Sequence, residues 1–310
     1  GFLHLVTGAH SHTPFQHRKS RHPYDQSEWQ HYRATGLNST YPSLVCDRED
    51  LLHLTYRGCA LRAYWMENEP SSHLMYQRAE AGGGDWSLPV DLVRTEEPFG
   101  YTQYGNALCI DRSNRIHMVF FMIEGSPQER GLRVGYMRTE DAGLTWTRSN
   151  GERTPIPSWK KTIEVIEEVE QGHIRTSNVA CDPDDNPYLV IFDRADGDGL
   201  LMWHDGASWH KRLLLEEIRQ ARPNGFIAAD GTLAFDREGG LYIALNTSAS
   251  PDDWGDPGAE VVLLFSDDGG QSFSARHISE PGDSVPCWQP SLEMVSSFHQ
   301  LTPEVPTMTW

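Results

Sequence analysis

Side chains able to grip a carboxylate or to move a proton recur in this sequence at the edges of apolar runs. His10 and His12 follow "FLHLVT"; Tyr41 opens "YPSLVC" and Arg57 closes "LLHLTYR"; Tyr104 and Asn106 open "YGNALCI"; His173 and Arg175 lead into "TSNVAC", and Arg194 closes "YLVIFDR". Arginine holds a carboxylate through two parallel N–H donors. Histidine changes charge near neutral pH, and a tyrosine hydroxyl can pass a proton to or from a reacting atom. The chain carries 44 Asp and Glu against 26 Lys and Arg, a net charge of -18. That balance argues against nucleic acid or an anionic membrane as partner, and a polyanionic substrate would need a local basic pocket. The residues above would supply one.

A repeating scaffold is what positions them. "LVCDREDLLHL" (44–54), "LCIDRSNRIHM" (108–118), "VACDPDDNPYL" (179–189) and "LAFDREGGLYI" (233–243) share one order. An apolar run ends in Asp (Asp47, Asp111, Asp182, Asp236), five turn residues follow, and His53, His117, Tyr188 or Tyr242 then opens a second apolar run. Each reads as a β-hairpin with polar turn chemistry. A third strand carrying Tyr76, Tyr136, Trp203 or Phe265 comes next, and a fourth opens on Trp86, Trp146, Trp209 or Phe273. Four strands per unit, recurring at about 50 to 70 residues, predict an all-β chain built as a β-propeller of four-stranded antiparallel blades. The blades fall at 1–40, 41–97, 100–158, 163–217 and 222–282, with a partial one at 283–310, in a single domain spanning 1–310. The first blade is entered at its second strand because "FLHL" aligns with "LLHL"; either the two ends close one blade together, giving five or six blades, or, the favoured reading, the chain is a fragment of a larger, seven-bladed propeller. No apolar run approaches the roughly 20 residues that span a bilayer.

In such a blade the start of the first strand and the end of the second share an edge. His10, His12, Tyr41, Arg57, Tyr104, Asn106, His173, Arg175 and Arg194, with Asn178 and Asn246, would therefore converge on one face near the axis. "TEDAGLTW" (139–146) and "SDDGGQSF" (266–273) both fit S/T-x-D-x-G-x-x-aromatic, which resembles the Asp box of sialidase-like propellers. Asp141 and Asp268 are expected to accept backbone N–H bonds in the turn, with Trp146 and Phe273 plugging between sheets.

"GAHSHTPFQHRKS" and "TYPSLVCDREDLLHLTYRG" resemble the BNR-repeat propellers that include ulvan lyases and related rhamnose–uronate-cleaving enzymes. The resemblance implies a secreted or periplasmic polysaccharide lyase, acting as a monomer on an acidic polysaccharide such as ulvan and requiring no cofactor. It implies His10, Tyr41 and Arg57 as catalytic residues, and a further family histidine on a strand that would precede Gly1. It leaves His12, Tyr104, Asn106, His173, Arg175 and Arg194 as substrate-binding candidates. Elimination across a uronate needs its carboxylate neutralised so that the α-proton becomes acidic, a task for Arg57. A base must take the C5 proton and an acid must protonate the leaving oxygen. Tyr41 fits the base once neighbouring cations ease its ionisation; His10 is either the base itself or the group that tunes Tyr41. A glycoside hydrolase on the same scaffold would need paired carboxylates, and Glu124 is the one acid expected at the mouth. A non-catalytic glycan-binding propeller would suit mouth aromatics equally well.

The remaining candidates read as framework. His4, His53 and His117 share a position that Tyr fills elsewhere, and His17 aligns with Tyr76 and Tyr136. "DPDDNPYLVIFD" imitates a calcium loop, but Pro187 stands where the sharp turn needs Gly. His10-x-His12 could ligate zinc, yet no third ligand has the spacing. A structural calcium or zinc ion is accordingly left unassigned. Five cysteines without a CxxC argue against a disulfide framework or a cysteine zinc site, and Cys46, Cys109 and Cys181 read as small buried strand residues. Sequons stand at Asn38 and Asn246.

Overall fold

Alternation of apolar and polar residues between Asp-headed turns produces strands along nearly the whole chain. The computed structural model describes residues 1–8, 13–36, 39–58, 71–80, 82, 84–95, 100–102, 107–124, 131–169, 174–193, 197–250, 256–279 and 285–310. Among them is one short α-helix, Leu215–Ala221; the rest is strand and turn. They form two compact units, 1–168 with 296–300, and 169–295 with 301–310.

In the first unit, strands His4–Thr7, Phe15–Lys19 and Arg33–Thr35 make a three-stranded antiparallel sheet. Thr40–Cys46, Leu52–Gly58, Ser71–Ala79 and Val90–Val93 follow as consecutive antiparallel neighbours. Next, Gly100–Thr102 and Leu108–Ile110 both pair with Ile116–Glu124, which pairs with Gly131–Thr139. Trp146–Thr147 and Arg153–Thr154 continue that sheet. In the second unit, Ile174–Thr176 and Ala180–Cys181 pair along one edge of Pro187–Asp193, whose other edge pairs with Asp198–His204, followed by Trp209–Leu213. The last four-stranded sheet runs Phe226–Phe235, Leu241–Ser248, Glu260–Ser266, Ser274–His277. Ser291–Leu292 pairs with Met308–Thr309. Apolar faces close on each other within each unit. Leu74, Met118, Phe120 and Trp146 are at most 1% exposed in the first, and Val190, Leu233, Ile243 and Val262 are fully buried in the second.

The four Asp-headed turns are one structure repeated. Asp47 Oδ1 accepts the backbone N–H groups of Glu49 and Leu51, at 3.0 and 2.7 Å. Asp111, Asp182 and Asp236 do the same for the residues two and four places on. The residue three places on is left-handed in every case: Asp50 (φ 62), Asn114 (68), Asp185 (66) and Gly239 (94). Asp, Asn and Gly tolerate that conformation best, and the turn is built from them. Asp182 Oδ1, read above against a calcium loop, is spent on these backbone donors.

The framework histidines continue the pattern. His53 sits between the Asp47 carboxylate (Nε2 to Oδ2, 3.2 Å) and the Tyr76 hydroxyl (Nδ1 to Oη, 2.7 Å). His117 repeats this with Asp111 (2.9 Å) and Tyr136 (2.7 Å). In the first sheet His4 meets His17, rings stacked with centroids 5.3 Å apart and Nδ1 to Nε2 at 3.0 Å. His17 thus stands where Tyr76 and Tyr136 stand.

Several expectations need correcting. Trp203 and Phe265 lie opposite Tyr188 and Tyr242, the places that Arg78 and Arg138 take opposite His53 and His117. Leu201 and Leu263 hold the places of Tyr76 and Tyr136. Residues two apart share a face of a strand, so an aromatic at either place fills the same layer. Cys109 is buried, whereas Cys46 and Cys181 are only half-buried, and burial pushes the Cys46 thiol up to about 11. The helix at 215–221 was not anticipated; it sinks Ile218 into the core of the second unit. The acidic "EVIEEV" is a strand, Glu164–Val169, paired with Gly131–Thr139, and its Glu168 meets Arg133 at 2.5 Å.

Candidate active site

Tyr41 and Arg57 come together at one edge of the second sheet. Thr40 is paired with Arg57 and Ser43 with Thr55, so Tyr41 and Pro42 oppose the single residue Tyr56 in a β-bulge. Bulges bend a strand locally and re-aim its side chains. Tyr41 takes φ 55, a left-handed conformation that costs a bulky residue of order 1–3 kcal/mol. Its ring thereby reaches the guanidinium of Arg57, whose Cζ is 4.7 Å from the ring centroid. Such cation–π contacts stabilise by about 0.5–2 kcal/mol, more as water is excluded. Both residues are half-buried, so the pair is braced and still reachable.

The support beneath is buried and hydrogen-bonded. Tyr56, fully buried, donates its hydroxyl to Gln77 Oε1 at 2.9 Å. The same oxygen accepts from the Gly36 backbone N–H (3.0 Å), and Gln77 Nε2 donates to the Ser87 carbonyl (2.6 Å). Gln77 therefore ties the strand bearing Arg57 to the neighbouring turn and to the preceding sheet. Ser43 Oγ accepts from the backbone N–H of Leu108, which anchors the strand bearing Tyr41 to Leu108–Ile110.

A second polar cluster, which sequence reasoning missed, lies one step along the same strand ends. His73 pairs in register with Gly58, next to Arg57, and its Nδ1 is 3.5 Å from Asp91 Oδ1. Arg94 binds Asp91 Oδ2 through Nε (2.7 Å) and Nη2. Burial alone would raise the Asp91 carboxyl, but hydrogen bonds and charge from His73 and Arg94 outweigh it and hold it below the usual range. None of the three residues belongs to the repeat pattern, so spacing carried no signal for them.

Of the other candidates, Arg175 is half-buried on Ile174–Thr176 in the second unit, opposite Phe192. His10, His12, Tyr104, Asn106, His173 and Arg194 lie outside the described residues. Two expected mouth residues are framework instead. Asn178 is buried and brackets Leu233 with bonds to its carbonyl (2.8 Å) and from its N–H (2.9 Å). Asn246 is fully buried, donating to the Cys287 carbonyl and accepting from the Gln289 N–H, so its sequon is closed to an attached glycan. Asparagine's double role as donor and acceptor suits stitching as well as recognition. Among the described residues no group of three or more His, Cys, Asp or Glu comes together as a metal site.

The model of the BNR repeat-containing family matches residues 1–216, more than half of the sequence. The chain belongs to that family. A curated relative of this BNR-family chain, an ulvan lyase from Nonlabens ulvanivorans, is 23% identical over 323 residues; the match covers 90% of this chain and 62% of the relative. The chain thus spans less than two thirds of that protein's length. Among solved structures, a PL25 ulvan lyase superposes with TM-score 0.63 at 14% identity, covering 91% of this chain and 68% of that one. The same likeness holds for that enzyme bound to -[GlcA(1-4)Rha3S]-. An α-L-arabinanase from Penicillium chrysogenum superposes with TM-score 0.53 at 10% identity, covering 93% of this chain and 78% of that one. These structural likenesses establish a shared all-β fold.

Proposed function

We propose that this chain is the catalytic part of a secreted polysaccharide lyase, folded as a β-propeller, that cleaves a uronate-containing polysaccharide of the ulvan kind by β-elimination. The observation that carries the reading is the Tyr41–Arg57 pair, a strained tyrosine held against a guanidinium at a half-buried strand edge. The ulvan lyase relatives support it, one of them solved with a glucuronate-containing ligand.

Arg57 offers two parallel donors to the uronate carboxylate and neutralises it, which makes the C5 proton acidic. Tyr41 or His10 removes that proton, and the electron pair forms the C4=C5 double bond as the C4–O bond breaks. The departing oxygen takes a proton from the other member of the pair. Arg175, His12, Tyr104, Asn106, His173 and Arg194 bind the flanking sugars in this scheme.

The test is to incubate the protein with ulvan and with neutral glycans, following ultraviolet absorbance of the unsaturated uronate and, separately, reducing ends. Absorbance on ulvan is expected. Tyr41→Phe and Arg57→Ala should each lower kcat by about 10²–10⁴-fold, with circular dichroism unchanged. Full activity in both variants would remove this site assignment. New reducing ends without absorbance would make the chain a hydrolase.

A further inference from the structure

Both S/T-x-D-x-G-x-x-aromatic turns rest in a seat on the set of antiparallel strands before their own. The turn at 139–146 is closed by Asp141, which accepts from the Thr145 N–H (2.8 Å) and hydroxyl (2.7 Å). It lies against Tyr76 and Arg78 of the preceding set. Both donate to the Ala142 carbonyl, at 3.2 and 3.0 Å, and Trp146 packs edge-on to Tyr76 with centroids 5.6 Å apart. The turn at 266–273 is closed alike by Asp268 and Ser272 (2.9 and 2.6 Å). It lies on Tyr188, Leu201 and Arg212. Arg212 donates to the carbonyls of Gly270 (2.8 Å) and Gln271, and its Cζ is 5.3 Å from the Phe273 ring centroid. The glycine at the fifth place of the motif makes the approach possible in both: a Cβ on Gly143 would land on the Tyr76 hydroxyl, and one on Gly270 would come within 2.7 Å of Leu201.

The last four-stranded sheet carries the same seat. Register equates Tyr242, Leu263, Phe265, Ser274 and Arg276 with Tyr188, Leu201, Trp203, His210 and Arg212. Those five residues line a cavity of about 220 Å³. The adjoining part of the face is already covered, since Leu292 and Met308 pack there with Ala234, Ala244, Tyr242 and Leu263. The cavity therefore continues an interface that is half built. We propose that it is the docking seat for another hairpin turn of the S/T-x-D-x-G-x-x-aromatic kind, presented by a further repeat unit. Arg276 would donate to its carbonyls, and its aromatic would lie on the Arg276 and Phe265 side chains.

The turn can be supplied in trans. A backbone-cyclised hairpin of residues 136–149, its folded turn verified by NMR, is titrated into the ¹⁵N-labelled protein. Amide shifts are expected at and beside Tyr242, Leu263, Phe265, Ser274 and Arg276. A Gly143→Ala hairpin, and separately Arg276→Glu in the protein, should each weaken binding at least about tenfold. Arg276 is exposed, so that variant is expected to fold. No shifts, or shifts that survive both substitutions, would overturn the proposal. So would concentration-dependent dimerisation of the free protein abolished by Arg276→Glu, which would give the seat to a second copy. Equal shifts with glucuronate oligosaccharides alone would instead make it a sugar site. None of these readouts depends on lyase activity.

Discussion

The histidines of the first sheet show how a residue's neighbours fix its protons. Trp86 donates to His17 Nδ1 at 3.3 Å, so a neutral His17 carries its proton on Nε2 and donates it to His4 Nδ1. An added proton on either ring would face another donor. Burial first, and then nearby positive charge, lowers both residues to about 4: His17 and Lys19 act on His4, Arg33 and Lys19 on His17, and Asp50 opposes weakly at His4. Because the folded values lie below the unfolded value of about 6.5, the unfolded chain binds protons first. Stability is therefore complete above about pH 6.5 and declines as pH falls towards 4. Urea unfolding midpoints across that range should slope downward on acidification. His17→Tyr, which recreates the His53–Tyr76 pairing, should reduce the slope, and identical slopes would refute the account. The framework role of His4 and His17 was legible because the repeat aligned them with Tyr residues. The His73–Asp91–Arg94 cluster was not, because its members meet only through strand pairing.

At the scale of the element, hairpins and turns were readable and the backbone's exceptions were not. Asp at the head of each turn and His or Tyr six places on announced the hairpins and their polar turns. The bulge at Tyr41 left no such mark: an extra residue in a strand becomes visible only when its partner strand is known. Turn glycines offer a test of what positions a segment. Gly143 and Gly151 both have left-handed backbones, φ 78 and 84, but Gly143 abuts Tyr76 while Gly151 has nothing within 4 Å of a Cβ. Gly151→Ala should cost about 1 kcal/mol, the conformational term alone. Gly143→Ala should cost about 2–4 kcal/mol, because the turn must also lift from its seat. Thermal unfolding of the two variants would decide it, and equal losses would mean that the close approach is unimportant.

Charge is the property that belongs to the whole molecule. A net charge of -18 repels a polyanion at long range, while Arg57 and its neighbours attract it locally. Screening shortens the long-range term first. If the proposed substrate is right, kcat/KM on ulvan should rise as salt increases from about 10 to 100 mM, with no such rise on a neutral glycan. A steady fall over that range would show that local attraction governs encounter. The charge balance and the all-β class were plain in the composition and the repeat. The division into two compact units was not, since it depends on contacts between residues far apart in sequence.

The strand order of the sheet Phe226–Phe235, Leu241–Ser248, Glu260–Ser266, Ser274–His277, every strand beside the one made before it, has a consequence for synthesis. A ribosome adds about 5–20 residues per second, so a stretch the length of 222–282 takes several seconds to emerge. A hairpin closes in about 1–10 μs. Each Asp-headed turn can close long before the next is translated, and every sheet is a finished template, with its seat exposed, when the following one arrives.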